Sequence, residues 1–251
     1  MASVISEKGI NVVNYGKSGN GPLLNLSVLK EYAEPIKPKV VLWFYCTNND
    51  LNDLNNEIKS PLLMKYLKDD EYTQNLRTRQ KQIDSLLIKV ADNIIEQEKK
   101  NEVVRVEKSL PKLDILKLTK LRTLVNLNNE IKPSPVFKEI IQKAKYMVSS
   151  WGGSMYFIYL PPYSRYSLKK ESPYRDFVIK NVQELNIPFI DIHEEVFALH
   201  SDPVSLFPFR LSGHYNADGY RLIAEAIYKR LINDGLQFKN KKDFDYFEVS
   251  K

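Results

Sequence analysis

One cysteine, three histidines and no apolar run of the ~18 residues a membrane span needs mark what this 251-residue chain lacks. A single cysteine excludes a disulfide framework. No Cys/His grouping has metal-ligand spacing, so no metal is expected. Residues Met1 to Gly9 lack the apolar core of a signal peptide, which leaves the compartment open. Internal repeats and low-complexity tracts are also missing. Gly16-Lys-Ser-Gly-Asn-Gly21 is not a phosphate loop. That motif needs a glycine where Asn11 stands and a helix directly after Lys-Ser, where Gly19, Gly21 and Pro22 intervene. The dinucleotide pattern G-x-G-x-x-G is not met either. No cofactor is expected.

Hydrophobic residues make up 43% of the chain and aromatics 11%, enough to bury a sizeable core and to exclude disorder over most of its length. The length fits one α/β domain, or one with an insertion. Net charge is +6, which reads as ordinary solubility; a basic surface for polyanions is the alternative. The Lys/Arg-bearing stretch 58–132 has few interleaved aromatics, so base stacking is unsupported and no nucleic-acid partner is expected.

Apolar runs predict four strands: Ile10 to Tyr15, Lys39 to Cys46, Met155 to Leu160 and Ile187 to Ile192. The second is apolar almost throughout, as a central parallel strand is, and it places Cys46 as a buried thiol. Helices are expected from Pro22 to about Ala33, over 136–149 and 174–185, and after His214, where Tyr220, Ile223, Ala224, Ile227 and Leu231 share a face. Strand–helix alternation predicts a doubly wound parallel sheet. Its working loops lie beyond the strand C-termini, so those at Gly16–Gly21, Thr47–Asp53, Pro161–Arg165 and His193 converge on one edge. Residues 58–132 read as a helical insertion between the second and third of these strands. Ile83, Leu87, Val90 and Ile94 form one stripe, and Leu118, Leu121 and Val125 another beyond Pro111. The expectation is two helices packed on the domain; a lid or partner-binding hairpin is the alternative.

Three positions carry chemistry. A glycine in a turn after a strand, Gly19, can offer its N–H to a developing oxyanion. Asn49, after another strand, can offer its side-chain amide. His214, at a loop–helix junction, suits a general base. Two neutral donors and a base are the equipment of acyl transfer, short only of a nucleophile. Each has a plainer role: turn, loop cap, packing. Tyr163, Arg165 and Tyr166 follow a strand on the same edge and suit an acyl or sugar pocket or surface packing alike. Ser18 and Ser212 read as turn hydroxyls. His193 and His200 read as solvent-facing or capping.

Val12-Val-Asn-Tyr-Gly-Lys-Ser-Gly19, Thr47-Asn-Asn49-Asp50-Leu51 and Gly213-His214-Tyr-Asn-Ala-Asp-Gly219-Tyr resemble blocks II, III and V of the SGNH (GDSL-type) hydrolases, in order and across nearly the whole chain. The resemblance implies a flavodoxin-like three-layer α/β/α sandwich for residues 1–251. It makes Gly19 and Asn49 oxyanion-hole donors and His214 the catalytic base, with Tyr163 and Arg165 toward a small-molecule or glycan ester, and requires no metal. The family's Gly-Asp-Ser block, with the nucleophile, is nowhere in the chain. Ala2–Lys8 resemble the tail of the helix that follows it, so the chain reads as an incomplete form. The missing first strand would lie between 10–15 and 39–46, and its loss would leave a gap or force those two to pair. The family's aspartate three residues before the histidine is here Leu211; Asp191 and Asp202 are the substitutes at hand. The expected function is an ester hydrolase or O-acyltransferase domain, inactive as given. The alternative is a non-catalytic binding module that keeps the fold.

Overall fold

A computed structural model describes residues 1–47, 49–107 and 133–238, with side chains described outside 99–107. The elements in chain order are α1 (Ala2–Glu7), α2 (Pro22–Val28), β1 (Val40–Cys46), α3 (Asp50–Glu57), α4 (Pro61–Lys68), α5 (Gln80–Glu107), α6 (Val136–Ser150), β2 (Ser154–Leu160), α7 (Tyr163–Ser167), α8 (Arg175–Glu184), β3 (Phe189–Asp191) and α9 (Ala217–Asn233). Short π and 3-10 turns extend α2 to Ile36 and connect β3 to α9.

The three strands form a parallel sheet in the order β1-β2-β3, with Trp43 beside Phe157 and Phe157 beside Phe189. Side chains alternate across a strand, and here each parity has its own helical layer. Trp43, Tyr45, Met155, Phe157 and Tyr159 join α2, α3, α6 and α8 in one core. Tyr156, Ile158 and Ile190 join Ile5 of α1 and Ile223, Ala224, Ile227 and Leu231 of α9 in the other. The result is an α/β structure with helices on both faces of a parallel sheet, which explains why β2 is apolar throughout. A row of rings ties the first core together: Tyr45 lies 5.7 Å from both Phe157 and Tyr159.

The strand expected at Ile10–Tyr15 does not form. Residues 10–16 have no regular secondary structure, and Val13 and Tyr15 are 55% and 37% exposed. Only Ile10 and Val12 reach the second core, beside Val40, Leu42 and Phe44. A strand needs a neighbour for its backbone groups, and this segment has none, because β1 is the edge of the sheet. The backbone of β1 records the same thing. Ser154 donates to the carbonyl of Lys39 (2.9 Å), so odd-numbered residues of β1 bond to β2 and even-numbered ones face outward. The outward N–H of Cys46 is met by a side chain, Asp50 Oδ2, at 3.0 Å.

Cys46 is half-buried, not enclosed, as follows from its place at the end of an edge strand. Within residues 58–132, α4 docks on the first core through Leu63, Met64 and Leu67, and Tyr66 is buried. The expected packing of the Ile83–Ile94 stripe on the domain is not found: Leu87, Val90 and Ile94 are 60%, 52% and 51% exposed. Pro111 and the stripe Leu118, Leu121 and Val125 lie outside the described residues.

Candidate functional site

His214 is delivered by a segment that is tied at every turn. The backbone N–H of Asn216 donates to Leu206 O (2.9 Å), and its Nδ2 donates to Ser205 O (2.8 Å). Its Oδ1 accepts from the N–H of Gly219 (2.9 Å), capping α9. Gly219 sits so close to the chain that a Cβ there would lie 2.8 Å from the Leu206 carbonyl; the glycine is required for that approach. Tyr215 is buried between Phe197 and Phe207, and its hydroxyl donates to Pro161 O at 2.6 Å, beyond the end of β2. Next to this anchor, His214 itself is exposed.

Upstream, Phe209 and Arg210 both have left-handed backbone (φ 52° and 59°). Two contacts hold them there. Tyr163 Oη donates to Arg210 O (2.7 Å), and the Arg210 guanidinium pairs with both oxygens of Asp202. Non-glycine residues in that region are costly, and they persist where the surroundings fix them.

Asn49 stands at the N-terminus of α3, directly beyond β1. Its Nδ2 donates to Asp53 Oδ2 at 2.6 Å. That contact uses one amide hydrogen, orients the group and leaves the second hydrogen to point elsewhere. Gly19 lies in an exposed turn with φ 82° and with nothing near a would-be Cβ, so conformation and not space calls for glycine. Two residues on, Gly21 abuts α3. Its N–H, with those of Leu23 and Leu24, donates to the Glu57 carboxylate at 2.6, 2.9 and 3.3 Å. Glu57 therefore caps α2 from another helix.

The Gly19 loop meets α3 at Asp53 and Glu57, and Asp53 holds Asn49. Thr47 Oγ1 donates to Leu160 O (3.2 Å), joining the ends of β1 and β2. Pro161, next to it, takes the Tyr215 hydroxyl beside His214. The Asn49 and His214 segments thus attach at the ends of β1 and β2, whereas the Gly19 turn follows no strand and is tied to α3 through Gly21.

The electrostatics are acidic along α3. Burial raises the Asp50 carboxyl to about 8, nearby Asp53 and Glu57 add to the rise, and the Cys46 N–H opposes it. Burial also raises Glu57, despite its three N–H donors. Across the edge, Tyr166 Oη and His193 Nδ1 are 3.0 Å apart. Burial, with the Arg165 charge, lowers the His193 pKa. His193 is therefore half-buried against Tyr166 and does not face solvent. His200 Nδ1 accepts from the Asp202 N–H (3.1 Å), as a capping histidine does.

The two remaining pocket candidates are engaged. Tyr163 spends its hydroxyl on Arg210 and packs its ring edge-on against Phe207 (5.1 Å). Arg165 pairs with Glu171, which also lies 3.8 Å from Arg175. The substitute acids are engaged as well. Asp191 pairs with Arg175 and accepts the His193 N–H (2.9 Å), the cap of a strand end; Asp202 holds Arg210. Sequence reasoning missed Asp53 and Glu57, which position Asn49 and the Gly19 loop. Their signal is the 50/53/57 spacing, one helical face directed at a glycine turn. Among the described residues no group of three or more His, Cys, Asp or Glu is arranged to hold a metal, and no helix is long and apolar enough to cross a membrane.

Comparison of the chain with known protein families, with curated proteins and with solved structures finds none that matches.

Proposed function

We propose that this chain carries an ester hydrolase or O-acyltransferase domain of the SGNH (GDSL) type, with a flavodoxin-like three-layer fold. The observations that support this reading most are three separate ties: Gly21, two residues beyond Gly19, to Glu57 of α3; Asn49 to Asp53 of the same helix; and Tyr215, beside His214, to Pro161 at the end of β2. In this reading a serine attacks the ester carbonyl, and His214 takes its proton and returns it to the leaving alcohol. The Gly19 N–H and the second amide hydrogen of Asn49 meet the oxyanion. The serine would arrive on a further parallel strand added to the open edge of β1. The acyl group comes from a small-molecule or glycan ester, and Tyr163 holds the loop of the base in place.

The chain as it stands has no such serine and is expected to turn over p-nitrophenyl acetate no faster than buffer. Turnover that disappears in His214→Ala would contradict that. Supplying an upstream Gly-Asp-Ser strand should create activity that His214→Ala abolishes. A strand-complete chain that folds and stays inert would favour a binding module, a reading the exposed histidine also fits.

A further inference from the structure

Among the described residues, five large apolar side chains are more than 62% exposed. Four of them lie in three short segments: Leu168 (72%), Leu199 (79%), Phe209 (93%) and Leu211 (63%). Direct contacts join these segments beyond the end of β2. Tyr163 Oη, at the start of α7, donates to Arg210 O, and the Arg210 guanidinium pairs with Asp202. Three of the six non-glycine residues with left-handed backbone also fall here, Lys169, Phe209 and Arg210. Strain that the surroundings hold in place concentrates at functional surfaces. Here it keeps a phenyl ring almost wholly in water, a placement that gains nothing within the single chain. The charge around these tips is basic. Each acid of the three segments is held by arginine, Glu171 by Arg165 and Asp202 by Arg210. Lys169 and Lys170 are exposed and enter no ion pair among the described residues.

We infer that this rim docks on the surface of an anionic bilayer, with Phe209 and Leu211 entering the boundary between headgroups and acyl chains and Lys169 and Lys170 meeting lipid phosphates. Membrane-surface binding scales with the apolar area buried plus the attraction of basic side chains to anionic lipid. Both components are present here, side by side. Apolar tips carried singly on three loops suit a fluid occupant that moulds around each of them. A folded protein would need a matching hollow for every tip, since packing at a protein interface is as close as in an interior. The inference stands apart from the ester-hydrolase reading. Leu211 precedes His214 by three residues, so docking also carries that exposed histidine toward the headgroups.

Co-sedimentation of the full chain with vesicles tests this, using phosphatidylcholine alone and phosphatidylcholine with phosphatidylglycerol in equal parts. Binding to the mixed vesicles is expected, at least about tenfold tighter than to phosphatidylcholine and weakened by salt. The double substitution Phe209→Asn with Leu211→Ser should weaken it at least about tenfold. Asparagine tolerates the left-handed backbone at 209, and both side chains are exposed, so far-UV circular dichroism should be unchanged. Lys169→Gln with Lys170→Gln should weaken it about thirtyfold. The exposed apolar residues of α5 serve as the control: Leu87→Ser with Val90→Ser should leave binding as it is. A chain that ignores the mixed vesicles overturns the inference. So does binding that either the 209/211 or the 169/170 variant leaves intact, binding that is equal on the two kinds of vesicle, or binding that the α5 variant abolishes.

Discussion

Strands β1 and β2 are both seven residues long and largely apolar, VVLWFYC and SMYFIYL, yet they live in different surroundings. β2 is paired on both sides, and its residues Met155 to Tyr159 are all buried. β1 is paired on one side, and of its seven residues only Trp43 and Tyr45 are buried. An apolar run states what a strand can tolerate on its two faces; whether its edges are filled depends on chain far away in sequence. The structure copes with the bare edge locally. Asp50 takes the outward N–H of Cys46, and Ile10 and Val12 pack on the second core, which also takes Val40, Leu42 and Phe44 of β1.

The comparison can be broken by substitution. The largest effect is expected for Phe157→Ala on β2, about 3–5 kcal/mol in urea unfolding, because the residue is fully buried among Tyr45, Phe137 and Phe189. Phe44→Ala on β1 should cost less than half of that. Equal losses would mean that the β1 edge is filled in solution.

Proline sharpens the point. Trp43 faces β2 with its N–H and Leu42 faces the open side, so Trp43→Pro should cost about 3 kcal/mol more in backbone terms than Leu42→Pro. Because Trp43 also loses a buried ring, the proper reference for each is its alanine variant. Matching proline penalties would sink the assignment of the edge.

Asp50 gives a pH-dependent test of the same edge. Burial lifts its folded-state pKa from 3.8 to about 8. Folding therefore favours the protonated form. The stability this gives is complete below about pH 4 and lost as pH rises through 8. Asp50→Asn keeps an oxygen to accept the Cys46 N–H and cannot ionise. Its melting temperature should match wild type near pH 4, exceed it increasingly up to about pH 8, and keep a constant advantage above that. Parallel profiles would show the carboxylate ionised throughout. A smaller effect, about 1 kcal/mol, is expected for Asn216→Ala, which removes the cap of α9 beside His214.

Much of this was legible in the sequence, for physical reasons that differ by element. The strand at Met155–Leu160 is bounded by Gly153 before it and Pro161 after it. The helix after His214 announces itself through Asn216 and its apolar period. Asp191 as a strand-end cap follows from its position alone. Ile10–Tyr15 reads as a strand because its side chains suit one, but a strand is made by its partner, and the local sequence does not contain it. The stripe on α5 is visible in the sequence; that it stays uncovered is not, because periodicity marks an apolar face without saying what meets it. The burial of Asp50 and the Tyr166–His193 pair also escape, since both depend on contacts between distant segments.

The proposed function requires that the Gly19, Asn49 and His214 loops share one small site. A titration with a methyl phosphonate ester anion, which mimics the tetrahedral oxyanion, tests it by nuclear magnetic resonance. The Gly19 amide, the Asn49 side-chain amide and the His214 ring should shift together with a single midpoint. Responses with separate midpoints, or none at saturating anion, would contradict it.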